Sequence, residues 1–348
     1  MNRLNVLYCA DDGYAPFMGT SILSLFKNNT DIEQIKVYCV LDSVSEENVK
    51  KLNSLAKEYN RQIKIVDSGE LNLVLSFVDI PKYRGSNVAN YRIFLDLILD
   101  DTDERVLYLD SDTIVTGSLR PLLELDMKDK ICAVVLDALA SHYKRLIGFS
   151  KEDLYFNSGV MLFNFENWRK TGFLKQILHF IRDNRSRFCN PDQDLLNIVL
   201  KDKLMFLAPE FNFQPVHRVF SYGAYTLCYG NYKYYTKEQI EIAKSNPYIL
   251  HTYRFLGDFP WHKGNTHPDI VEFDKYLKQS PWSDYVKVDK PYSLLFVVEK
   301  ILYKILPKFL FLIFFAFAQQ MEFRRNDNEL KKISFMNDIK VSLSKDKL

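Results

Sequence analysis

The alternation of apolar segments over the first 67 residues is what most restricts the fold of this chain. Leu4 to Cys9 reads as a strand, and Ala15 to Phe26 carries Met18, Ile22, Leu25 and Phe26 at helical spacing. Ile35 to Leu41 reads as a second strand. Ser45 then caps a helix whose apolar stripe is Val49, Leu52, Leu55 and Tyr59, and Gln62 to Val66 supplies a third strand. Neighbouring parallel strands need a long crossover, so this order implies a parallel sheet with right-handed connections. A helix from about Val88 to Leu99 is expected next, then strands over Arg105 to Leu109 and Ile131 to Leu136. The fold class expected is α/β, with a Rossmann-like, mostly parallel central sheet.

Open sheets of this class bind ligands beyond the carboxyl ends of their strands. At such an end Asp110-Ser111-Asp112 closes the apolar run Arg105 to Leu109 and precedes Thr113-Ile114-Val115. Carboxylates two residues apart can both turn toward one hard cation where the backbone leaves a strand. Mg²⁺ and Mn²⁺ suit such oxygens and leave positions open for a diphosphate. The motif alone is weak, since Asp101-Thr102-Asp103 and Asp192-Gln193-Asp194 share its spacing. Asp101 and Asp103 lie among acids between a helix and a strand, and read as a solvated turn.

Ala10-Asp11-Asp12-Gly13-Tyr14 falls where the first strand gives way to its helix. The chain has no Gly-x-Gly-x-x-Gly and no Walker sequence, so neither a dinucleotide site nor a P-loop is supported. A carboxylate in this turn suits ribose hydroxyls or a base edge. Helix capping by Asp11 or Asp12 is the alternative, and capping by one leaves the other available. A formal charge of +2 argues against a nucleic-acid binder. The five cysteines, Cys9, Cys39, Cys132, Cys189 and Cys228, are odd in number, scattered and without a Cys-x-x-Cys pair, which fits a reducing, cytoplasmic compartment. The N-terminal apolar stretch is short and reaches Asp11-Asp12 too soon for a signal peptide.

Further motifs follow in order: Asn90-Tyr91-Arg92, Leu107 to Asp112, Tyr155-Phe156-Asn157-Ser158-Gly159-Val160, Asn164 to Trp168, Asp192-Gln193-Asp194, Phe211-Asn212-Phe213 and a late His251. With Ala10 to Tyr14 they cover about residues 4 to 265. As an ordered set they are far more specific than any one alone, and by them the chain resembles the family 8 retaining glycosyltransferases, which include bacterial lipopolysaccharide galactosyltransferases and glucosyltransferases.

The resemblance implies a GT-A fold and a UDP-hexose donor held through Mn²⁺, with Mg²⁺ as the alternative. Asp110, Asp112 and His251 match the metal ligands. Without the family, His251 would read as a hydrogen-bonded structural histidine at the end of Tyr248-Ile249-Leu250. Asp11 and Tyr14 match residues that hold uracil and ribose, and Ala10, Ser111 and Gly257 belong to the same donor-binding set. Arg92 matches a basic residue near the diphosphate and sugar, with a surface ion pair on a helix as the alternative. Asn157, Asp192 and Gln193 resemble catalytic residues lining the transferred sugar, and Asp137 an acceptor-binding carboxylate. The implied reaction moves galactose or glucose from UDP to a glycan acceptor; the alternatives from other classes are a degenerate nucleotide-binding membrane scaffold and a metal phosphohydrolase.

One departure from the family stands out. The usual His-x-x-Gly-x-x-Lys-Pro-Trp becomes His251-Thr252-Tyr253-Arg254-Phe255-Leu256-Gly257-Asp258-Phe259-Pro260-Trp261, with Phe259 in the lysine place. Lys263 or Arg254 is the expected substitute cation. Trp261 and His262 either close over the donor or pack as structure.

Three segments are expected: a catalytic domain over 1–288, an amphipathic and hydrophobic helical segment over 289–325, and a charged tail over 326–348. Phe309 to Ala318 is uninterruptedly apolar but well short of the roughly 20 residues that span a bilayer. Lys300, Lys304 and Lys308 recur every four residues, as on one helix face, and Arg324-Arg325 follow. This pattern fits an interfacial anchor on anionic lipid at the inner face of the cytoplasmic membrane, where a lipid-linked acceptor would be met. A core helix packed on the catalytic domain is the alternative.

Overall fold

The computed structural model describes residues 3–139, 144–184, 188, 190–231, 233–289 and 293–345, with residues 184, 323, 326, 327 and 330–345 as backbone alone. Cys189 and the last three residues of the charged tail lie outside the described residues. The strands are β1 (Arg3–Asp11), β2 (Gln34–Asp42), β3 (Gln62–Asp67), β4 (Arg105–Leu109), β5 (Thr113–Val115), β6 (Cys132–Leu136), β7 (Phe156–Asn164), β8 (Leu204–Phe206) and β9 (Ile249–His251). Seven of them form one sheet in the order β3-β2-β1-β4-β7-β6-β8, and β5 pairs with β9. Only β7 runs against its neighbours β4 and β6, so the sheet is mostly parallel, as the sequence implies.

Both faces of this sheet are covered. Along β1, Leu4, Val6, Tyr8 and Ala10 enter one core cluster while Leu7 and Cys9 enter the other. That two-sided burial is why the central strands read as continuous apolar runs rather than alternating ones. The helices Ala15–Asn28 and Glu46–Glu58 fall where the apolar periodicity places them, and the Ser45 hydroxyl accepts from the Asn48 amide.

The helix expected over 88–99 is instead a pair of 3₁₀ turns, Val88–Ile93 and Leu95–Leu97. Asn90, Tyr91, Arg92, Ile93, Phe94 and Leu95 are all buried, so the segment has no solvent face to sustain an amphipathic helix. The turn reading of Asp103 also fails. Asp101 is exposed, but the Asp103 carboxylate is fully buried and accepts from Asn5, Tyr38, Arg3 and the Asp100 amide, tying the start of β1 and β2 to the approach to β4.

The C-terminal part forms two helices, Leu294–Ile305 and Lys308–Lys345, broken at Leu306-Pro307. Phe311, Leu312, Phe315 and Ala316 bury one face of the second helix against Val216, Phe220, Tyr225 and Phe255. On its other side Phe309, Leu310, Ile313, Phe317 and Met321 are exposed, and so are Leu294, Val298, Ile301 and Ile305 of the first helix. Core packing and an open apolar face therefore coexist on one helix. The lysine stripe does not survive: Lys300 turns inward to Asp258, and Lys308 lies beyond the break with its amine over the Tyr303 ring. No described helix is long and apolar enough to cross a membrane.

Candidate active site

The strand ends of β1 and β4 and the loops around them enclose a cleft of ≈ 490 Å³. Asp110 and Asp112 enter it because the backbone turns away from the sheet after Leu109. The Asp110 amide is bonded to the Gly159 carbonyl of β7 at 2.8 Å, and Thr113 then opens β5. The pairing of β5 with β9 sets Thr113 opposite His251, and this register delivers the imidazole to the carboxylates. Thr252 seals the junction, its amide and hydroxyl both donating to the Asp112 carbonyl at 2.8 and 2.7 Å.

His251 Nε2 lies 3.2 Å from an Asp112 carboxylate oxygen and 3.7 Å from one of Asp110. One ligand atom from each of the three residues falls within 4.8 Å of the others. The other ring nitrogen, Nδ1, is 3.0 Å from Asn212 Oδ1, and the Asn212 amide nitrogen is committed to Asn157 Oδ1 at 2.9 Å. That chain puts the ring proton on Nδ1 and leaves the Nε2 lone pair facing the carboxylates. Two carboxylates and one oriented imidazole fit Mn²⁺ or Mg²⁺ with room for further oxygen ligands. Without a metal the same proximity acts on a proton: burial pushes the His251 imidazole down, but the Asp112 and Asp110 charges outweigh it and hold it above its ordinary value.

Arg92 is buried on a 3₁₀ turn rather than exposed on a helix, so the ion pairs it makes are inside the cleft and not on the surface. Its guanidinium donates to Asp110 at 2.8 Å and to the Ser158 carbonyl at 2.6 Å, and lies 3.4 Å from Asp192. It also sits over the Tyr108 ring, whose hydroxyl donates to Asp110 at 2.6 Å. Burial alone would lower its affinity for the proton, but Asp110 and Asp192 outweigh that and keep it charged. Asp192 accepts from the Ser158 hydroxyl at 3.1 Å, and burial raises its carboxyl above the usual range. Gln193 accepts from the Ser158 amide at 2.9 Å and donates to Tyr155 at 3.1 Å and Asp137 at 3.3 Å. Asp137, also raised by burial, takes a further bond from Asn157 at 3.1 Å.

On the β1 side Ala10, Asp11, Tyr14 and Ser111 line the cleft, the Ser111 hydroxyl bonding the Cys9 carbonyl at 3.1 Å. Asp11 accepts from the Tyr14 amide at 3.1 Å. Asp12 is turned elsewhere, to Ser45 and Asn48, where it braces the next helix. Of the thirteen residues expected in the site, only Gly257 does not line this cleft; it stands behind the loop, against Phe296.

The structure adds residues to which sequence reasoning gave no role. Ser158, Tyr108 and Asn212 hold the functional side chains in place, and the signal for Asn212 was its place between Phe211 and Phe213. Tyr83, Arg84 and Tyr253 also line the cleft wall. Of the two substitute cations, Arg254 lines the cleft while Lys263 is drawn to Asp289 at 3.3 Å. Phe259 lines the cleft and stacks on Trp261, which is itself stacked on Phe17 at 3.8 Å and is a packing residue.

Comparison with known proteins meets this geometry. The chain is 28% identical to general stress protein A of Bacillus subtilis, covering 80% of this chain and 95% of that one. It is 27% identical to lipopolysaccharide 1,2-glucosyltransferase of Escherichia coli K12, covering 81% of this chain and 79% of the relative. The crystal structure of the galactosyltransferase LgtC with donor and acceptor sugar analogs superposes with a TM-score of 0.66 over 80% of this chain and 96% of LgtC, at 22% identity, a likeness of fold. The model of glycosyl transferase family 8 matches residues 5–264, which hold every residue of the cleft. The chain therefore belongs to glycosyl transferase family 8, as an enzyme with the GT-A fold.

Proposed function

We propose that this enzyme moves a hexose, galactose or glucose, from UDP to a surface glycan acceptor with retention of anomeric configuration. The observation that carries the reading is the Asp110, Asp112 and His251 cluster at the lip of the sheet, with Nε2 turned to both carboxylates. Mn²⁺ held there would take up the negative charge of the departing diphosphate. Asp11 and Tyr14 hold the nucleoside at the β1 end, and Arg92 fixes Asp110 and Asp192 in register with each other. Asn157, Asp192 and Gln193 line the sugar, and Asp137 meets the acceptor.

A retaining transfer through a covalent intermediate needs a free carboxylate beside the anomeric carbon. Asp192 is engaged by Arg92 and Ser158, and Gln193 is a poor nucleophile, so the arrangement favours same-face attack with a diphosphate oxygen taking the acceptor proton. The test is a screen of UDP-glucose, UDP-galactose and their N-acetyl forms for UDP release with Mn²⁺. Release with one of the two hexoses is the expected result; binding of UDP with no turnover on any donor or acceptor would instead make the protein a scaffold.

The exposed apolar side chains of the two C-terminal helices, together with exposed Lys304, Arg324 and Arg325, suit an anionic lipid surface at the inner face of the cytoplasmic membrane, where a lipid-linked acceptor is presented. The catalytic unit over 1–288 would thus be carried by the segment over 289–325. The full chain is expected to sediment with phosphatidylglycerol vesicles and a Phe309→Ser/Ile313→Ser/Phe317→Ser variant to remain in the supernatant. Equal sedimentation of the two proteins rejects the lipid contact.

A further inference from the structure

The loop that follows His251 is built around a tight turn. Phe255 and Asp258 exchange backbone hydrogen bonds at 2.8 and 2.9 Å, with Leu256 at φ 49° and Gly257 at φ 80° between them. Two consecutive positive φ values define the hairpin turn in which glycine is at ease and leucine is not. A leucine held in that conformation persists only where its surroundings fix it. Part of those surroundings, Val216, Phe220 and Tyr225, lies within the family match, and part comes from beyond residue 264, where that match ends.

Each residue of the turn meets the C-terminal helices. Leu256 is buried in the cluster that contains Phe311, Leu312 and Phe315. Phe255 packs edge-on against Tyr303, with ring centres 5.9 Å apart. Gly257 lies so close to Phe296 that a Cβ would stand 2.8 Å from its ring. Asp258, with no solvent exposure, pairs with Lys300 at 2.7 Å. The guanidinium of Arg254 rests over the same Phe296 ring at 4.9 Å. That arginine and Phe259, on either side of the turn, both face the cleft.

We propose that the helix Leu294–Ile305 is the back wall of the donor site: through Phe296, Lys300 and Tyr303 it positions the turn over 255–258, and with it Arg254 and Phe259 in the cleft. The inference rests on the nucleotide-sugar reading for what the cleft binds, but not for how the loop is held. Asp258 also accepts from the Thr266 amide at 3.4 Å and lies 3.8 Å from His262 Nδ1, but Lys300 brings the cation that ties it to the helix, so loss of Lys300 weakens the hold of that helix on the turn. Burial, with Arg84 beside it, disfavours the Arg254 charge more than Tyr83, Glu322 and Glu299 favour it, and the arginine forms no close ion pair among the described residues. An anion in the cleft would relieve both effects, provided Phe296 keeps the guanidinium where it is.

The experiment uses the full chain with Lys300→Met, Phe296→Leu and Lys300→Arg. Phe296→Leu keeps an apolar contact and removes the ring beneath Arg254, and Lys300→Arg keeps the charge opposite Asp258. In the nucleotide-free proteins, amide hydrogen exchange over 253–258 should accelerate in Lys300→Met and Phe296→Leu and return toward wild type in Lys300→Arg. With Mn²⁺ present, UDP affinity should fall roughly 10-fold and the donor KM rise by a similar factor, with a smaller change in kcat. Unchanged exchange and unchanged UDP affinity in folded Lys300→Met and Phe296→Leu proteins would overturn the proposal. Faster loop exchange in variants of a wild type that binds no UDP would uphold the positioning role and defeat the donor reading instead.

Discussion

Replacing Asp112 with Asn is expected to lower Mn²⁺-dependent release of UDP by roughly 10²–10³-fold while leaving the fold intact. The two parts of this expectation have separate causes. Asp112 takes part in the structure through its backbone carbonyl, which accepts from the Thr252 amide and hydroxyl, and Asn retains that carbonyl. Its side chain faces His251 and Asp110 in the cluster. Asn is close to the same shape and still presents one oxygen, but it removes a full negative charge from beside a dication. In a partly buried site a charge change at contact distance is worth several kcal/mol, whereas the shape change is worth little. The loss should therefore appear as a weaker Mn²⁺ titration endpoint together with lost turnover, at an unchanged melting temperature in metal-free alkaline buffer, where His251 holds no proton for the Asp112 charge to stabilise. An Asn protein with wild-type Mn²⁺ affinity and turnover would remove the cluster from the mechanism.

The parts of this molecule that could be read from sequence are those in which local pattern and final environment agree. The strand over 105–109 is buried on both faces, so its residues are uniformly apolar, and the acids after it stand out against that run. The first three strands and the two helices between them obey the same logic. Where the environment is assembled from distant segments, the reading failed or stopped short. Asp103 looks like a turn acid because its neighbours are acids, but Asn5, Tyr38 and Arg3 reach it from β1 and β2 and turn it into a buried anchor. His251 is a lone histidine in sequence, and its partnership with Asp112 exists only through the register of β5 on β9. Arg92 was expected on a helix, and the absence of a solvent face for residues 90–95 is a property of the packed sheet. The stripe of Lys300, Lys304 and Lys308 misled for a local reason: Pro307 ends the continuity that a four-residue spacing assumes.

Gly159 permits the opposite experiment, in which the charges stay and their fit is lost. A Cβ at this position of β7 would stand 2.1 Å from His251 Cε1 and 2.8 Å from both His251 Nδ1 and an Asp110 oxygen. The constraint is space rather than conformation, because Gly159 is not among the glycines at positive φ. Nor can the glycine withdraw: its carbonyl takes the Asp110 amide at 2.8 Å and its own amide is held by Asn157 at 3.0 Å. A methyl group must therefore push the imidazole, and the imidazole is backed by Asn212, whose amide is bonded onward to Asn157. Overpacking of this kind costs about 1–3 kcal/mol of stability. Its larger effect is expected at the cluster, where displacing Nε2 from two carboxylates should weaken Mn²⁺ binding by roughly 100-fold with all three ligands still present. Calorimetric Mn²⁺ titration of Gly159→Ala beside Asp112→Asn separates the two requirements. If the alanine protein binds Mn²⁺ as wild type does, the ligands are not held by the contacts described, and the close approach of β7 to His251 has no part in forming the site.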